Sequence, residues 1–148
     1  MYKHILVSTD GSKLSRKAIR AAAKMAKAFD AKLTGTYVIA PYAPESYGEA
    51  ALYLPELSPR RYKDMTAKEA KKALAVVEIE AQIAGVKFAA VPVTHAQPWK
   101  GIIGIAHSKK CDLIVMASHG RRGLSGLILG SETTKVLTHS KIPVLVYR

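Results

Sequence analysis

A glycine-rich stretch between residues 117 and 131 holds the residues of this sequence that are best suited to binding chemistry. Four of the ten glycines lie between positions 120 and 130, and Arg121 and Arg122 stand among them. A glycine-rich turn that leads into a helix exposes backbone N–H groups and the positive helix end, which together hold phosphate. Ser131 and Thr133 follow with hydroxyl groups that either cap the helix or bond to a phosphate oxygen.

This stretch differs from the two most familiar phosphate-binding motifs. It contains neither the G-x-x-x-x-G-K-[ST] of a Walker P-loop nor the G-x-G-x-x-G of dinucleotide-binding folds. A glycine-rich loop that serves only tight packing therefore stays open as an alternative.

A carboxylate, Asp10, follows the first apolar run and begins the segment Asp10-Gly11-Ser12. At a strand end, this carboxylate is suited to accept a hydrogen bond from a ribose hydroxyl or an adenine amino group. Asp10 or Ser12 is equally suited to cap the helix that follows. Residue type alone leaves both interpretations open.

The remaining reactive residue types form no recognisable constellation. The five histidines are scattered, and their spacing supports neither a metal site nor a Ser/His/Asp or Cys/His arrangement. We interpret His119 as a loop residue rather than a phosphate contact, and Trp99 as a packing residue. Cys111 precedes a buried strand and is interpreted as an inert structural thiol. The sequence thus predicts no catalytic residue and no bound metal.

Five apolar strands alternate with four helices and must position these groups. Short apolar runs that end in turn residues predict strands, and apolar residues at spacings of three and four predict amphipathic helices. The predicted strands are 5–9, 32–39, 87–94, 112–117 and 143–147, and the predicted helices are 13–29, 60–84, 98–109 and 131–139. Residues 40–58 hold three prolines and three tyrosines without a sustained period, which predicts a lid, a binding loop or a disordered excursion.

This alternation predicts a doubly wound parallel sheet with helices on both faces. Pro92 cannot donate to a ladder, so strand 3 belongs at an edge and the strand order 3-2-1-4-5 follows. Strands 1 and 4 then lie side by side where the winding reverses, and ligands bind beyond the strand ends at such a point. The predicted site therefore lies at the turns after Thr9 and Met116.

The length of the chain indicates its number of domains, and its net charge indicates the class of ligand. The 148 residues correspond to one domain, 1–148, and the net charge of +12 favours polyanionic ligands. Seven basic side chains against Asp10 alone place half of that charge in residues 1–29. No helix-turn-helix, RNP or finger pattern accompanies the charge, so nucleic acid is not an expected partner, and binding of nucleic acid or membrane by the basic helix 13–27 stays a weaker alternative.

Membrane and secretory classes are not expected either. No run approaches ~18 apolar residues, and the opening of the chain lacks the apolar core and cleavage site of a secretory signal. A lone cysteine makes no internal disulfide. We expect a cytoplasmic protein.

Four segments resemble the universal stress protein family. They are residues 5–12, 112–116, 117–131 and 143–146, and only the segment 40–60 lacks a clear counterpart. The most specific element is the family's nucleotide signature, G-x-x-G, nine residues, then G-[ST], of which Gly120, Gly130 and Ser131 occupy the last three places. Ala117 replaces the first glycine. Its Cβ resists a positive φ by about 1 kcal/mol, so we expect nucleotide affinity to be lowered at most and not abolished.

The resemblance implies a Rossmann-like, adenine-nucleotide-alpha-hydrolase-like fold that binds ATP, with or without magnesium. In that arrangement Asp10, just after Thr9, binds the ribose or the adenine edge. The backbone of Val38 contacts the adenine, and Met116 and Ala117 line the ribose side.

The same resemblance implies a phosphate end built from the second half of the signature. Ser118 and Gly120 would close on the phosphates. Gly130, Ser131 and Thr133 would hold the triphosphate through backbone N–H groups and hydroxyls.

Three functions remain consistent with the sequence. The preferred one is a regulatory, ATP-binding stress-response protein that pairs into a homodimer through strand 5, from Pro143 to Tyr147. The alternatives are a stress protein that binds no nucleotide and acts through protein or nucleic-acid partners, and a slow ATPase. Phosphoryl transfer usually needs a metal-holding carboxylate and a positioned base. Only Asp10 and Glu132 lie near the loop, and neither is clearly suited to these tasks.

Overall fold

A five-stranded parallel sheet with helices on both faces forms the centre of the molecule. The computed structural model describes residues 1–121 and 129–148. The strands are β1 (His4–Ser8), β2 (Lys32–Ile39), β3 (Phe88–Thr94), β4 (Leu113–Ala117) and β5 (Val144–Tyr147). The helices in the described ranges are α1 (Lys13–Phe29), α2 (Ala50–Tyr53), α3 (Pro59–Ala84), α4 (Pro98–Ser108) and α5 (Ser131–His139).

The strand order is β3-β2-β1-β4-β5, which confirms the order predicted from the sequence. Pro92 lies in β3 at the edge of the sheet, where a missing N–H donor is tolerated. β1 pairs in parallel with both β2 and β4, with Ile5 opposite Leu33 on one side and Leu113 on the other. β1 and β4 are therefore neighbours at the point where the winding reverses.

Apolar side chains pack against both faces of the sheet. α1 and α3 cover one face with Ile19, Leu74 and Val77, and α4 and α5 cover the other with Ile102 and Val136. All five residues of β4 are buried because this strand is covered on both sides. A fully buried aliphatic side chain contributes about 1.5–3 kcal/mol, so this layered core holds the strand ends in a fixed arrangement.

Helix ends follow the signals in the sequence. The Ser12 side chain accepts a hydrogen bond from the Ser15 N–H group at 3.1 Å, so Ser12 rather than Asp10 caps α1. α3 ends at Gly85, which adopts a left-handed conformation with a φ of 67°, as predicted. In the described ranges, none of the helices combines the length and apolar character needed to cross a membrane.

The segment 40–58 is more ordered than the predicted loop. It contains the helical turns Pro44–Ser46 and Pro55–Leu57 in addition to α2. The Tyr42 hydroxyl donates to the Leu57 carbonyl at 2.5 Å, and the Tyr62 hydroxyl on α3 donates to the Ala40 carbonyl at 2.6 Å. Turns of three or four residues are too short to produce a hydrophobic period, and the sequence pattern therefore could not reveal them.

Candidate functional site

A cleft of about 720 Å³ opens at the carboxyl ends of β1, β2 and β4, where the strand order predicts a binding site. The loops after β1 and β4 and the first turns of α4 and α5 form its walls. Nine of the ten residues predicted for the site line this cleft. They are Thr9, Asp10, Val38, Met116, Ala117, Gly120, Gly130, Ser131 and Thr133.

Asp10 links the two loops of the cleft through both carboxylate oxygens. Oδ1 accepts from the Ser12 N–H group at 2.9 Å, and Oδ2 accepts from the Arg121 N–H group at 2.7 Å. Burial acts to raise the pKa of Asp10, but the hydrogen bonds from Ser12 and Arg121 outweigh burial and lower the pKa. The carboxylate is therefore ionised at neutral pH. It also keeps lone pairs for a ligand hydroxyl.

Gly120 permits the contact between these loops. A Cβ atom at this position would lie 2.7 Å from Asp10 Oδ2, which is closer than side chains tolerate. Glycine at 120 therefore lets the chain pass beside the Asp10 carboxylate and present the Arg121 N–H group to it. A packing requirement in the folded protein thus explains this glycine of the signature, whether or not a ligand is bound.

Gly130 lies against the backbone at the start of the same loop. Its N–H group donates to the Ser118 carbonyl at 2.6 Å, and a Cβ at this position would lie 3.2 Å from His119 Cα. Ser118 also donates its own N–H group to the Tyr147 carbonyl of β5 at 2.7 Å. Because Ser118 is buried behind the loop and does not line the cleft, it is the one predicted site residue that the structure places elsewhere.

The first turn of α5 points backbone N–H groups at the cleft. Gly130 is the N-cap and supplies no side chain, and the Thr134 N–H group makes the first helical bond, to the Gly130 carbonyl. The N–H groups of residues 131–133 therefore have no partner within the helix. The helix dipole adds roughly half a positive charge at this end, which favours an anion.

Thr133 is buried beneath that turn and serves the fold. Its hydroxyl donates to the Ala117 carbonyl at 3.0 Å, which ties α5 to the end of β4. The hydroxyl proton is thus already used inside the protein. Ser131 is exposed at the mouth of the same turn and lines the cleft.

Ala117 adopts an extended conformation as the last residue of β4, where it pairs with Tyr147. In the described ranges, the non-glycine residues with positive φ are Asp30 and Lys110. The expectation that Ala117 strains the backbone at a positive φ is therefore wrong. The strand continues through this position, which needs no left-handed turn.

Val38 directs its backbone toward the gap left where β1 ends. The Thr9 N–H group donates to the Thr36 carbonyl, and the His95 N–H group donates to the Ile39 carbonyl, both at 3.0 Å. Successive residues of a parallel strand send their backbone groups to opposite neighbours. The N–H and carbonyl of Val38 therefore face the side of β1, within the cleft.

Glu132 joins the first turns of two helices. Its Oε2 accepts from the Trp99 N–H group of α4 at 2.9 Å, and its Oε1 accepts from Lys135 Nζ at 3.0 Å. Both oxygens are thus engaged within the protein. Trp99 packs as predicted, with its ring centroid 4.3 Å from that of His139.

Residue patterns gave little indication of several other cleft residues. Tyr37, Pro98 and Ile102 line the cleft because β2 and α4 reach it, and only the strand order could have suggested them. Arg121 and His119 also line it. Arg122, which stands beside Arg121 in the glycine-rich stretch, lies outside the described residues, as do the glycines at 123 and 126.

Possible metal ligands and the single thiol, Cys111, can be located in the part of the chain that the structure describes. It contains no cluster of three or more His, Cys, Asp or Glu side chains that could hold a metal ion. Cys111 is buried, and burial raises the pKa of its thiol to about 11. The thiol therefore stays protonated at neutral pH, in agreement with a structural role.

The fold and the site together define a Rossmann-like α/β protein with a glycine-lined cleft at the switch point of its sheet. The family model described as "Universal stress protein family" matches residues 1–148, and the chain belongs to this family. Universal stress protein MJ0531 of Methanocaldococcus jannaschii is 34% identical over 150 residues, covering 100% of this chain and 83% of the relative.

Solved structures show the same fold. The hypothetical protein MJ0577 has 30% sequence identity and a TM-score of 0.78, covering 99% of this chain and 96% of its own. A universal stress protein in complex with cAMP has 28% identity and a TM-score of 0.73, covering 99% of this chain and 97% of its own.

Proposed function

We propose that this chain binds an adenine nucleotide in the cleft and acts as a regulatory stress-response protein. The observation that carries the proposal is the first turn of α5. Its N–H groups lack helical partners and lie at one end of the cleft that also holds the Val38 backbone. The related universal stress protein that carries cAMP supports an adenine nucleotide as the ligand.

The adenosine half of the ligand would lie against β1, β2 and β4. The Val38 N–H and carbonyl would pair with the adenine edge, since they face the gap beyond β1. The Asp10 carboxylate would accept from a ribose hydroxyl through its remaining lone pairs. Met116 and Ala117 would supply the apolar surface beneath the ribose, next to Thr9.

The phosphate half would lie against the α5 turn. The N–H groups at Ser131 and beyond would donate to phosphate oxygens, and Gly120 and Gly130 would let the backbone approach closely. We propose ATP as the ligand. The Thr133 hydroxyl already donates its proton to the Ala117 carbonyl. It would therefore hold α5 against β4 rather than donate to the phosphate.

We also propose that the protein forms a homodimer through β5. The Ile114 and Ser118 N–H groups donate to the carbonyls of Pro143 and Tyr147. By alternation, the N–H and carbonyl of Val146 then face away from β4, at a free sheet edge. Val146→Pro removes one outward donor without touching the β4 ladder. It should convert the dimer to monomer in light scattering while leaving the circular dichroism spectrum unchanged.

We propose a cytoplasmic location and a regulatory role rather than catalysis. Both oxygens of Glu132 already accept hydrogen bonds, and the lone pairs that Asp10 keeps are assigned to the ribose. A slow ATPase remains the alternative function. Phosphate release above background from saturating ATP and magnesium, abolished in the Asp10→Asn variant, would favour that alternative.

Calorimetric titration tests the binding proposal. Purified protein stripped of nucleotide is titrated with ATP, AMP and cAMP, and with GTP as the base control. The Asp10→Asn variant should bind ATP at least 10-fold more weakly. Asp30→Asn, which changes an exposed carboxylate outside the cleft, should bind like the unaltered protein. Absence of heat with all three adenine nucleotides at millimolar concentration would refute the proposal.

A further inference from the structure

Six basic side chains form a continuous exposed stripe along α1, here called the basic stripe. Its members are Lys13, Arg16, Lys17, Arg20, Lys24 and Lys27. With 3.6 residues per turn they fall within an arc of about 100°, and they span about 21 Å of helix. The opposite side of α1 packs on the sheet through alanines and Ile19, so the stripe faces away from the core.

The basic stripe has little neutralising charge around it. α1 contains no acidic residue, and the one ion pair to α1 among the described residues joins Arg20 Nε to Glu80 Oε1 at 2.8 Å. At its far end, Lys27 Nζ lies near Gly85 rather than near a carboxylate. Five of the six cations therefore face solvent without a paired acid in the part of the chain described.

The arrangement of these charges opposes the stability of α1. Like charges three or four residues apart on a helix repel each other, and the stripe contains such pairs along its whole length. Lys13 and Arg16 also place positive charge in the first turn, where the helix dipole is unfavourable to cations. A surface pattern that works against the stability of its own element is a candidate for a binding function.

We propose that the basic stripe binds the sugar–phosphate backbone of duplex nucleic acid without reading base sequence. The six cations are separated by five intervals that average about 4.2 Å along the helix axis, so α1 presents a dense row of positive charge to the closely spaced phosphates of a duplex. This surface is separate from the nucleotide cleft. The lack of a sequence-recognition motif agrees with backbone contacts alone, since phosphate contacts carry no sequence information.

The composition of the stripe favours nucleic acid over a lipid surface or single strands. The large apolar side chains that are strongly exposed in the described ranges lie outside α1, so the stripe offers none to insert into a bilayer. The stripe also has no aromatic ring on which unpaired bases would stack. A surface that offers cations alone suits a duplex, which presents its phosphates outside and keeps its bases stacked inside.

Fluorescence anisotropy with labelled 20-base-pair duplexes of DNA and RNA tests this proposal on the full chain. Raising the salt from 50 to 200 mM should weaken binding about 150- to 2,000-fold, as expected for four to six phosphate contacts. Lys17→Glu with Lys24→Glu should weaken binding at least 10-fold at 100 mM salt. The control variant, Lys109→Glu with Lys141→Glu, carries the same net charge as the stripe variant, but its substitutions lie away from α1. It should change the affinity for duplex less than 3-fold.

Separate outcomes would overturn the inference. Equal losses in the two double variants would mean that net charge, not the stripe, drives binding. Retention on phosphatidylserine vesicles without binding to either duplex would identify a lipid partner instead.

Thermal unfolding tests the argument about stability. Because the two glutamates would pair with neighbouring cations on α1, the stripe variant should unfold at a temperature no lower than the unaltered protein. A lower temperature would contradict the argument that the stripe opposes stability.

Discussion

The contact between Gly120 and Asp10 offers the sharpest test of how the two loops of the cleft depend on each other. In Gly120→Ala, the new Cβ would lie 2.7 Å from Asp10 Oδ2, so the carboxylate or the loop must move. Either movement lengthens the 2.7 Å hydrogen bond that the Arg121 N–H group donates to that oxygen. The expected result is a loss of both stability and nucleotide affinity from one added methyl group.

The size of the effect follows from the hydrogen bond that is lost. A hydrogen bond to a charged group contributes about 1.5–3 kcal/mol, and water replaces part of it at a half-buried position. We therefore expect a loss of about 1–2 kcal/mol in the free energy of unfolding. The same change displaces the Asp10 carboxylate from the ligand. ATP binding should therefore weaken about 10-fold, which corresponds to about 1.4 kcal/mol of binding free energy.

Gly104→Ala is the matched control. Gly104 is exposed in α4, and a Cβ there meets no atom within 4 Å. Alanine in a helix is favoured over glycine by about 0.5–1 kcal/mol, so this variant should be more stable and bind ATP normally. Urea unfolding and calorimetry measure both quantities. If Gly120→Ala matched the unaltered protein in both, the contact with Asp10 would not be the reason for glycine at 120.

Three further predictions concern stability and reactivity. Thr133→Val should lower the free energy of unfolding by about 1–3 kcal/mol, because it leaves the Ala117 carbonyl without its donor. Thr133→Ser keeps the hydroxyl and should retain most of that free energy. Because the pKa of Asp10 is lowered in the folded protein, its ionised form stabilises the fold. This contribution is complete above the unfolded-state pKa and is lost as the pH falls through the folded-state pKa. In Asp10→Asn, the free energy of unfolding should therefore depend less on pH at the acid end. Cys111, with a pKa of about 11, should react slowly with a disulfide reagent at pH 8 and rapidly in urea.

The fold was predictable because single residues constrained it strongly. Pro92 restricted strand 3 to an edge, and the unbroken apolar run 113–117 required a strand covered on both faces. Together with the alternation of strands and helices, these features left one strand order. The location of the cleft follows from that strand order alone, without any motif.

The roles of individual cleft residues depended on loop geometry that residue type does not encode. Asp10 and Ser12 are both good N-cap residues, and only the path of the chain decides that Ser12 caps α1 while Asp10 reaches Arg121. Ser118 and Thr133 are polar, yet both are buried: the Ser118 hydroxyl bonds to His119 Nδ1 at 3.1 Å, and the Thr133 hydroxyl donates to the Ala117 carbonyl. The resemblance implied phosphate contacts for both, and neither resemblance nor residue type shows which hydroxyls already have partners inside the protein.

The cleft is held in shape by bonds that join separate strand ends and loops. Asp10 connects the loop after β1 to the loop after β4, and Gly130 closes the latter loop on Ser118. Thr133 then fixes the start of α5 to the end of β4. A ligand that meets preorganised N–H groups loses less free energy in ordering the site than one that must fold a loop. Adenine-nucleotide binding should therefore stabilise the protein through mass action on an existing cleft, raising its unfolding temperature with ligand concentration while leaving its secondary structure unchanged.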